Sequence, residues 1–349
     1  MKNKLAVIAL VLTTTFTFAQ IAPATASTTF AGSADVYYKY DFARVNNSLT
    51  SFTNSHNSFE LGMASIEASH KMDKASVFVD LGFGKRAAQF TYNDDASTFM
   101  IKQLNFTYEF SDVLKVIVGS FSTHLGYELV DAIDNKNYSM SYAFTYGPFF
   151  NTGVKVQYTS GKFNFMAGVT NPTDFKTTLE AGSTQKTFVG QLGYLGDTGS
   201  AYFNVTSGSS NPASDENKTQ FDFVGSKKVS DSFSVGFNGT YAMTKNDFDN
   251  TLDGEWFALV GYAHFNLKET LSLAYRLEYF DAKNATAGLG LLAGTSVVGN
   301  TLSLNYKVGN LTIIPEFRVD TAFNDIFTNN DAASKSLTAY ALLATTYTF

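Results

Sequence analysis

Leu271-Ser272-Leu273-Ala274-Tyr275-Arg276-Leu277-Glu278-Tyr279 alternates with period two. Leu271, Leu273, Tyr275, Leu277 and Tyr279 share one parity; Ser272, Arg276 and Glu278 share the other. In an extended chain successive side chains point to opposite faces, so this stretch is a strand with a greasy face and a polar face. The same split recurs along the chain. Phe233, Val235, Phe237 and Tyr241 oppose Ser234, Asn238 and Thr240, and Leu302, Leu304 and Tyr306 oppose Ser303, Asn305 and Lys307. At the end of the chain Leu337, Ala339, Ala341, Leu343, Tyr347 and Phe349 oppose Ser336, Thr338, Thr346 and Thr348.

Sixteen such segments can be read, at about 33–43, 58–70, 74–86, 98–110, 113–122, 151–160, 162–171, 185–195, 200–207, 218–229, 232–244, 255–267, 270–281, 297–308, 311–323 and 335–349. Most have the length of a tilted strand crossing a bilayer. Each even-to-odd connection is tight, as at Ser111-Asp112, Gly161, Ser230-Asp231, Lys268-Glu269 and Gly309-Asn310, and most use turn-forming Gly, Asn, Asp and Ser. Each odd-to-even connection is longer and polar, as in Arg44 to Asn57 and Gly208 to Asn217. This asymmetry predicts an all-β fold: one transmembrane antiparallel β-barrel of about 16 strands, with 14 or 18 as alternatives. Short turns then face the periplasm and long loops the outside. A soluble barrel with the greasy face inward is disfavoured, because a cylinder this wide cannot be filled by side chains.

Composition agrees. Charged residues are only 16%, Tyr and Phe number 19 and 33 against one Trp, and Cys is absent. No apolar run after the first residues reaches the length of a membrane-spanning helix. Lys2, Lys4 and the apolar stretch from Leu5 to about Phe18 read as an export signal, with cleavage after Ala19 or after Ala26. The expected organisation is a leader over 1–19 and a barrel over 20–349. Losing Lys2 and Lys4 takes the net charge from −6 to −8, which argues against nucleic acid as a partner. Little chain is left between leader and first strand for a plug domain.

With the greasy face toward lipid, polar side chains line the lumen. Parity assigns Asp35, Asp41, Asp80, Asp222, Glu278, Glu316 and Asp320 to the wall, with Lys39, Lys115, Lys155, Arg276, Lys307 and Arg318. Arg276, Glu278, Glu316 and Arg318 form a mixed group that suits ion pairing as well as it suits a solute site. Tyr37, Tyr38, Tyr40, Phe42, Phe106, Tyr108 and Phe110 suit the aromatic girdles at the two membrane interfaces. Pro315 removes one ladder donor inside a strand and predicts a bulge or a local opening.

The longest connection, about Thr123 to Phe150, carries Glu128, Asp131 and Asp134 beside Lys136. In general diffusion porins the third outside loop folds inward and narrows the pore. By that analogy of position these four residues form an acidic constriction with weak cation preference. The alternative is a solvated outside loop.

Residues 125–128 (Leu-Gly-Tyr-Glu), 135–139 (Asn-Lys-Asn-Tyr-Ser), 145–154 (Thr-Tyr-Gly-Pro-Phe-Phe-Asn-Thr-Gly-Val) and 168–172 (Gly-Val-Thr-Asn-Pro) resemble the OmpL-like porin family of Gram-negative bacteria. The clear motifs lie within 119–172. The resemblance implies a porin-like barrel and carries over no binding residues. Tyr347 and terminal Phe349 look like the signature that outer-membrane barrels present to the barrel assembly machinery.

The expected function is passive diffusion of small hydrophilic solutes and ions across the outer membrane, with lipid and the assembly machinery as further partners. The alternatives are a substrate-specific uptake channel, or a structural or adhesive barrel whose loops fill the lumen. Porins of this strand number are often homotrimers, but the sequence carries no interface signal. No catalytic set, cofactor or metal is expected. His56, His70, His124 and His264 show no metal-ligand spacing, although His56 and His124 sit near loop Asp residues where an omptin-type protease would need them. The stretches Asn211–Asn217 and Asn246–Asp253 have oxygen ligands suited to Ca²⁺ but no EF-hand spacing, so solvated loops are the stronger reading.

Overall fold

The computed structural model describes residues 26–94, 98, 100–178, 185–209, 216–246, 249–285 and 289–349. The expected leader and its cleavage point after Ala19 lie outside the described residues, as does most of the Asn211–Asn217 stretch.

Sixteen antiparallel strands close into one barrel. They are β1 (Ser27–Asp41), β2 (Ser58–Met72), β3 (Ala75–Phe83), β4 (Ile101–Ser111), β5 (Leu114–Ser122), β6 (Phe150–Ser160), β7 (Phe163–Thr170) and β8 (Thr187–Leu195). There follow β9 (Gly199–Ser209), β10 (Glu216–Lys228), β11 (Phe233–Asn246), β12 (Gly254–Lys268), β13 (Leu271–Asp281), β14 (Ser296–Val308), β15 (Leu311–Ala322) and a closing strand, Leu337–Thr348. Each strand pairs with its sequence neighbours, and the closing strand completes the cylinder against β1, from Ser33 opposite Thr348 to Asp41 opposite Tyr340. Phe349 extends that seam by exchanging both backbone hydrogen bonds with Gly32 at 3.0 Å.

The outward face carries Phe59 and Leu61, 86% and 76% exposed, with Phe188, Phe203, Leu277, Leu302 and Leu343 around the cylinder. In water so continuous an apolar surface would drive aggregation; against acyl chains it is the favourable surface. Tyr38 and Phe59 pack at 4.8 Å and Tyr108 and Phe110 at 4.9 Å on this face. Tyr37 departs from the girdle expectation. It shares parity with Lys39, points inward and packs on Tyr138 at 5.4 Å. Pro315 opens the ladder locally without a bulge. Pairing of β14 with β15 runs through Ser303–Glu316 and resumes at Tyr306–Ile313 in the same register.

The inward face is less uniformly polar than alternation suggested. Tyr340, Leu342 and Ala344 of the closing strand are buried inside, against Ala132 and Tyr138 of the long third loop. Trp256, Ala258 and Val260 of β12, with Phe280 of β13, form a second apolar patch that receives Tyr142 of the same loop. Alternation marks which residues face in; it does not require those residues to be polar where a loop covers them.

Replacing outward Leu277, in the middle of β13, with Arg is expected to cost about 2–4 kcal/mol of unfolding free energy, read by denaturant titration in phospholipid vesicles. The loss should be much smaller for Leu277→Phe.

Candidate functional site

The connection from β5 to β6 folds into the barrel and touches many sectors of its wall. At its root the His124 ring nitrogen lies 3.0 Å from the Val205 carbonyl of β9. The Gly126 N–H donates to Asp222 of β10 at 3.0 Å, with Gly126 at φ +88° where only Gly turns without strain. Tyr127 then stacks on Tyr262 of β12 at 4.2 Å. It can do so because Gly236 of β11 lacks a side chain: a Cβ there would sit 2.5 Å from the Tyr127 ring.

Glu128 makes the principal clamp. Its carboxylate accepts from Arg276 of β13 at 2.7 Å and from the Ser141 N–H and hydroxyl at 2.8 Å each. It thus folds the loop upon itself and ties it to the wall. Asp131 reaches the opposite side, pairing with Lys102 of β4 at 2.7 Å and accepting from Ser65 of β2 at 2.8 Å. Lys102 also pairs with Asp80 of β3 at 3.1 Å. The chain then makes one 3₁₀ turn, Ala132–Asp134, and a short helix, Tyr142–Thr145, capped by Ser141.

Most of the wall charges on β13–β15 bind the loop backbone. Glu316 accepts from the N–H groups of Tyr138 and Ser139 at 2.7 and 3.2 Å, and Glu278 from Tyr142 N–H at 2.7 Å. Arg276 donates to the Ser139 carbonyl at 2.5 Å and Arg318 to that of Met140 at 2.7 Å. Arg318 also pairs with Glu278 at 3.1 Å and Asp320 at 2.8 Å. The Tyr142 hydroxyl donates to Asp320 at 2.9 Å and the Tyr138 hydroxyl to Asp35 of β1 at 2.5 Å. Burial, with a neighbouring carboxylate adding to it, pushes both loop phenols well above the ordinary tyrosine range, so both remain donors.

The expected site residues therefore fall into distinct environments. Glu128 and Asp131 are buried in ion pairs, while Asp134 and Lys136 remain exposed inside the barrel. The composition of the loop suggested a free acidic ring; the geometry instead places two of its three acids on cations of the wall, because a buried carboxylate needs a partner. Lys39 is buried, held by the Thr53 carbonyl and by hydroxyl and amide groups of the first loop, and Asp41 accepts from the Ala43 and Asn47 N–H groups. Lys115 and Lys155 of β5 and β6 face inward half-buried, with Lys155 over the Phe121 ring at 3.9 Å. Asp253, in the last stretch considered for Ca²⁺, is held by Lys245 at 2.7 Å.

Sequence reasoning missed two cations. Lys102 shares parity with outward Leu104, but a bulge opposite Asp80 and Leu81 leaves it unpaired and re-aims it inward. Arg86 lies in a six-residue helix, Lys85–Phe90, where a strand end was expected. That helix turns into the lumen and brings Arg86 between Phe52 and Tyr138, 4.0 Å from Asp35 and 3.1 Å from the Val130 carbonyl. The Gly84-Lys85-Arg86-Ala87-Ala88-Gln89 run of helix formers after a Gly was the available signal.

A closed sixteen-strand cylinder with short turns on one rim and a long loop pinned across its interior defines an outer-membrane porin. The chain belongs to the family described as "Putative beta-barrel porin-2, OmpL-like", which matches residues 27–349. An anion-selective porin from Comamonas acidovorans shares the fold at 10% identity, TM-score 0.64, over 93% of this chain and 100% of that one. The trimer form of OmpT, an outer membrane protein of Vibrio cholerae, does so at 13% identity, TM-score 0.60, over 93% and 99%. The outer membrane channel DcaP of Acinetobacter baumannii does so at 13% identity, TM-score 0.59, over 93% and 97%. No curated protein matches the chain. Family and fold together make this a channel protein of the outer membrane rather than an enzyme.

Arg276→Met should free the inward loop. It leaves buried Glu128 without its cation, while Glu278 keeps Arg318 at 3.1 Å, a loss of about 3–5 kcal/mol. The measurable consequence is protease cleavage within residues 125–147 and larger single-channel conductance than in the unmodified protein.

Proposed function

We propose that the barrel passes small hydrophilic solutes and ions by passive diffusion through the part of the lumen that the inward loop does not fill. One contrast carries this reading. At mid-strand on β13–β15, inward Arg276, Thr301, Glu316 and Arg318 are buried beneath the loop, whereas inward Ile117 of β5, Lys155 of β6 and Gln191 of β8 keep partial exposure. Solvent inside the cylinder is what such half-exposed inward residues contact. A loop anchored on several sides narrows that space and favours small solutes. Asp134 on the loop and Lys115 and Lys155 on the wall are the inward charges best placed to bias passing ions. With Glu128 and Asp131 paired, the selectivity expected is weak.

The further elements of the proposal are export with removal of the leader after Ala19 or Ala26, and recognition of Tyr347 and Phe349 by the assembly machinery. Both residues are surface-exposed at the seam that closes the barrel. A homotrimer is the proposed assembly, supported by the trimer form of the similar OmpT barrel. Uptake of one particular solute is the second reading, favoured by the number of fixed contacts around the loop.

Planar-bilayer recording tests the diffusion reading. Well-resolved current steps with weak ion preference are expected, and complete absence of steps would remove it. Asp134→Asn should shift the reversal potential in a salt gradient toward anions, and Lys155→Gln toward cations. Asp131→Asn should act mainly through stability, because it strips Lys102 of a partner.

A further inference from the structure

We propose that the cavity beneath the inward loop, at the turn-side mouth of the barrel, binds a small multivalent oxyanion of the phosphate class. The cavity measures about 250 Å³ and lies between loop residues 132–136 and the turn ends of β12–β15 and the closing strand. Lys136 from the loop, Lys268 at the end of β12 and Lys307 near the end of β14 all line it, against Glu269 as the one acidic lining residue. The whole chain carries a net charge of −6, so this concentration of positive charge runs against the composition.

Three features make the lysines available. None forms a salt bridge among the described residues, in contrast to Lys102, Arg276 and Arg318, which hold the loop. Lys307 shares the inward parity of Ser303 and Asn305, and its register partner Thr312 adds a hydroxyl to the same lining. Asn305 donates to the Lys136 backbone carbonyl at 3.0 Å, so the loop tip bearing Lys136 is tied to the wall that bears Lys307. Asp134, two residues before Lys136, lines the neighbouring cavity beside Tyr262 and His264, which Lys136 also borders, and it is not among the residues lining the proposed site.

Three lysines bordering a space of this size, with neutral hydroxyl and amide side chains in the same lining, suit a compact anion with several oxygens. A monovalent inorganic ion would engage only part of that set. The site sits on the periplasmic side of the loop, so an anion that has passed the loop meets it last. Access from the outside depends on the diffusion reading; binding itself does not.

The test uses the full-length barrel in detergent, inorganic phosphate as probe, and titration calorimetry at low salt. Saturable binding that weakens as salt rises is expected. The triple variant Lys136→Gln, Lys268→Gln, Lys307→Gln should bind about tenfold more weakly or worse, and Glu269→Gln should bind more tightly. All four side chains line an open cavity, and heat-modifiable gel mobility verifies that each variant is folded. Equal binding by the unmodified protein and the triple variant, or no saturable binding at low salt, overturns the proposal. Phosphate added on the turn side of single channels should reduce chloride current in the unmodified protein only. Binding without any current steps would retain the site and defeat the diffusion reading.

Discussion

A strand crossing hydrocarbon has no water to satisfy its backbone, so every N–H and C=O must find a partner on a neighbouring strand. In this chain that demand is met at one seam, where the closing strand pairs with β1 over nine register pairs and Phe349 adds its backbone to Gly32. An open sixteen-strand sheet would expose two unpaired edges to lipid. Closure removes both, fixes which face looks outward, and encloses a space that side chains cannot fill. The inward loop, its anchors and both rims depend on that enclosure.

Within the enclosure the dominant interaction is charge on backbone. Arg276, Arg318, Glu278 and Glu316 do not merely line a wall; they bond main-chain groups of residues 138–142. Irregular backbone inside a barrel carries its own unsatisfied groups, and these wall charges supply partners that a strand ladder cannot. The same side chains neutralise one another, so a wall rich in charge presents little net charge to a passing solute. The lysines at the turn-side mouth, which form no salt bridge among the described residues, stand apart from that network.

The fold could be read almost entirely from alternation, because lipid imposes one rule on every strand at once. Fifteen strands lie within about three residues of the limits read from alternation, while the first begins at Ser27 rather than near residue 33; Arg276, Glu278, Glu316, Arg318 and Asp320 were assigned to the interior by parity alone. Parity failed where the ladder was irregular. Lys102 sits in a bulge and faces the opposite way from its sequence neighbours' pattern, and Arg86 left the strand for a short helix. Apolar Tyr340, Leu342 and Ala344 share a parity otherwise polar, and nothing in their own strand announces the loop that covers them.

The sequence by itself determined the class of fold, the handling of the two faces, the short and long rims, and the presence of a third loop rich in acids. Those features follow from local periodicity and turn chemistry, which each segment carries within itself. Only the tertiary structure decided the partners of Glu128 and Asp131, the two residues most suggestive of a selectivity ring. Their cations, Arg276 and Lys102, lie far away along the chain, and one of them is aimed inward by a bulge. Whether a carboxylate faces an ion in transit or a guanidinium on the wall is fixed by long-range geometry, and no local pattern encodes it.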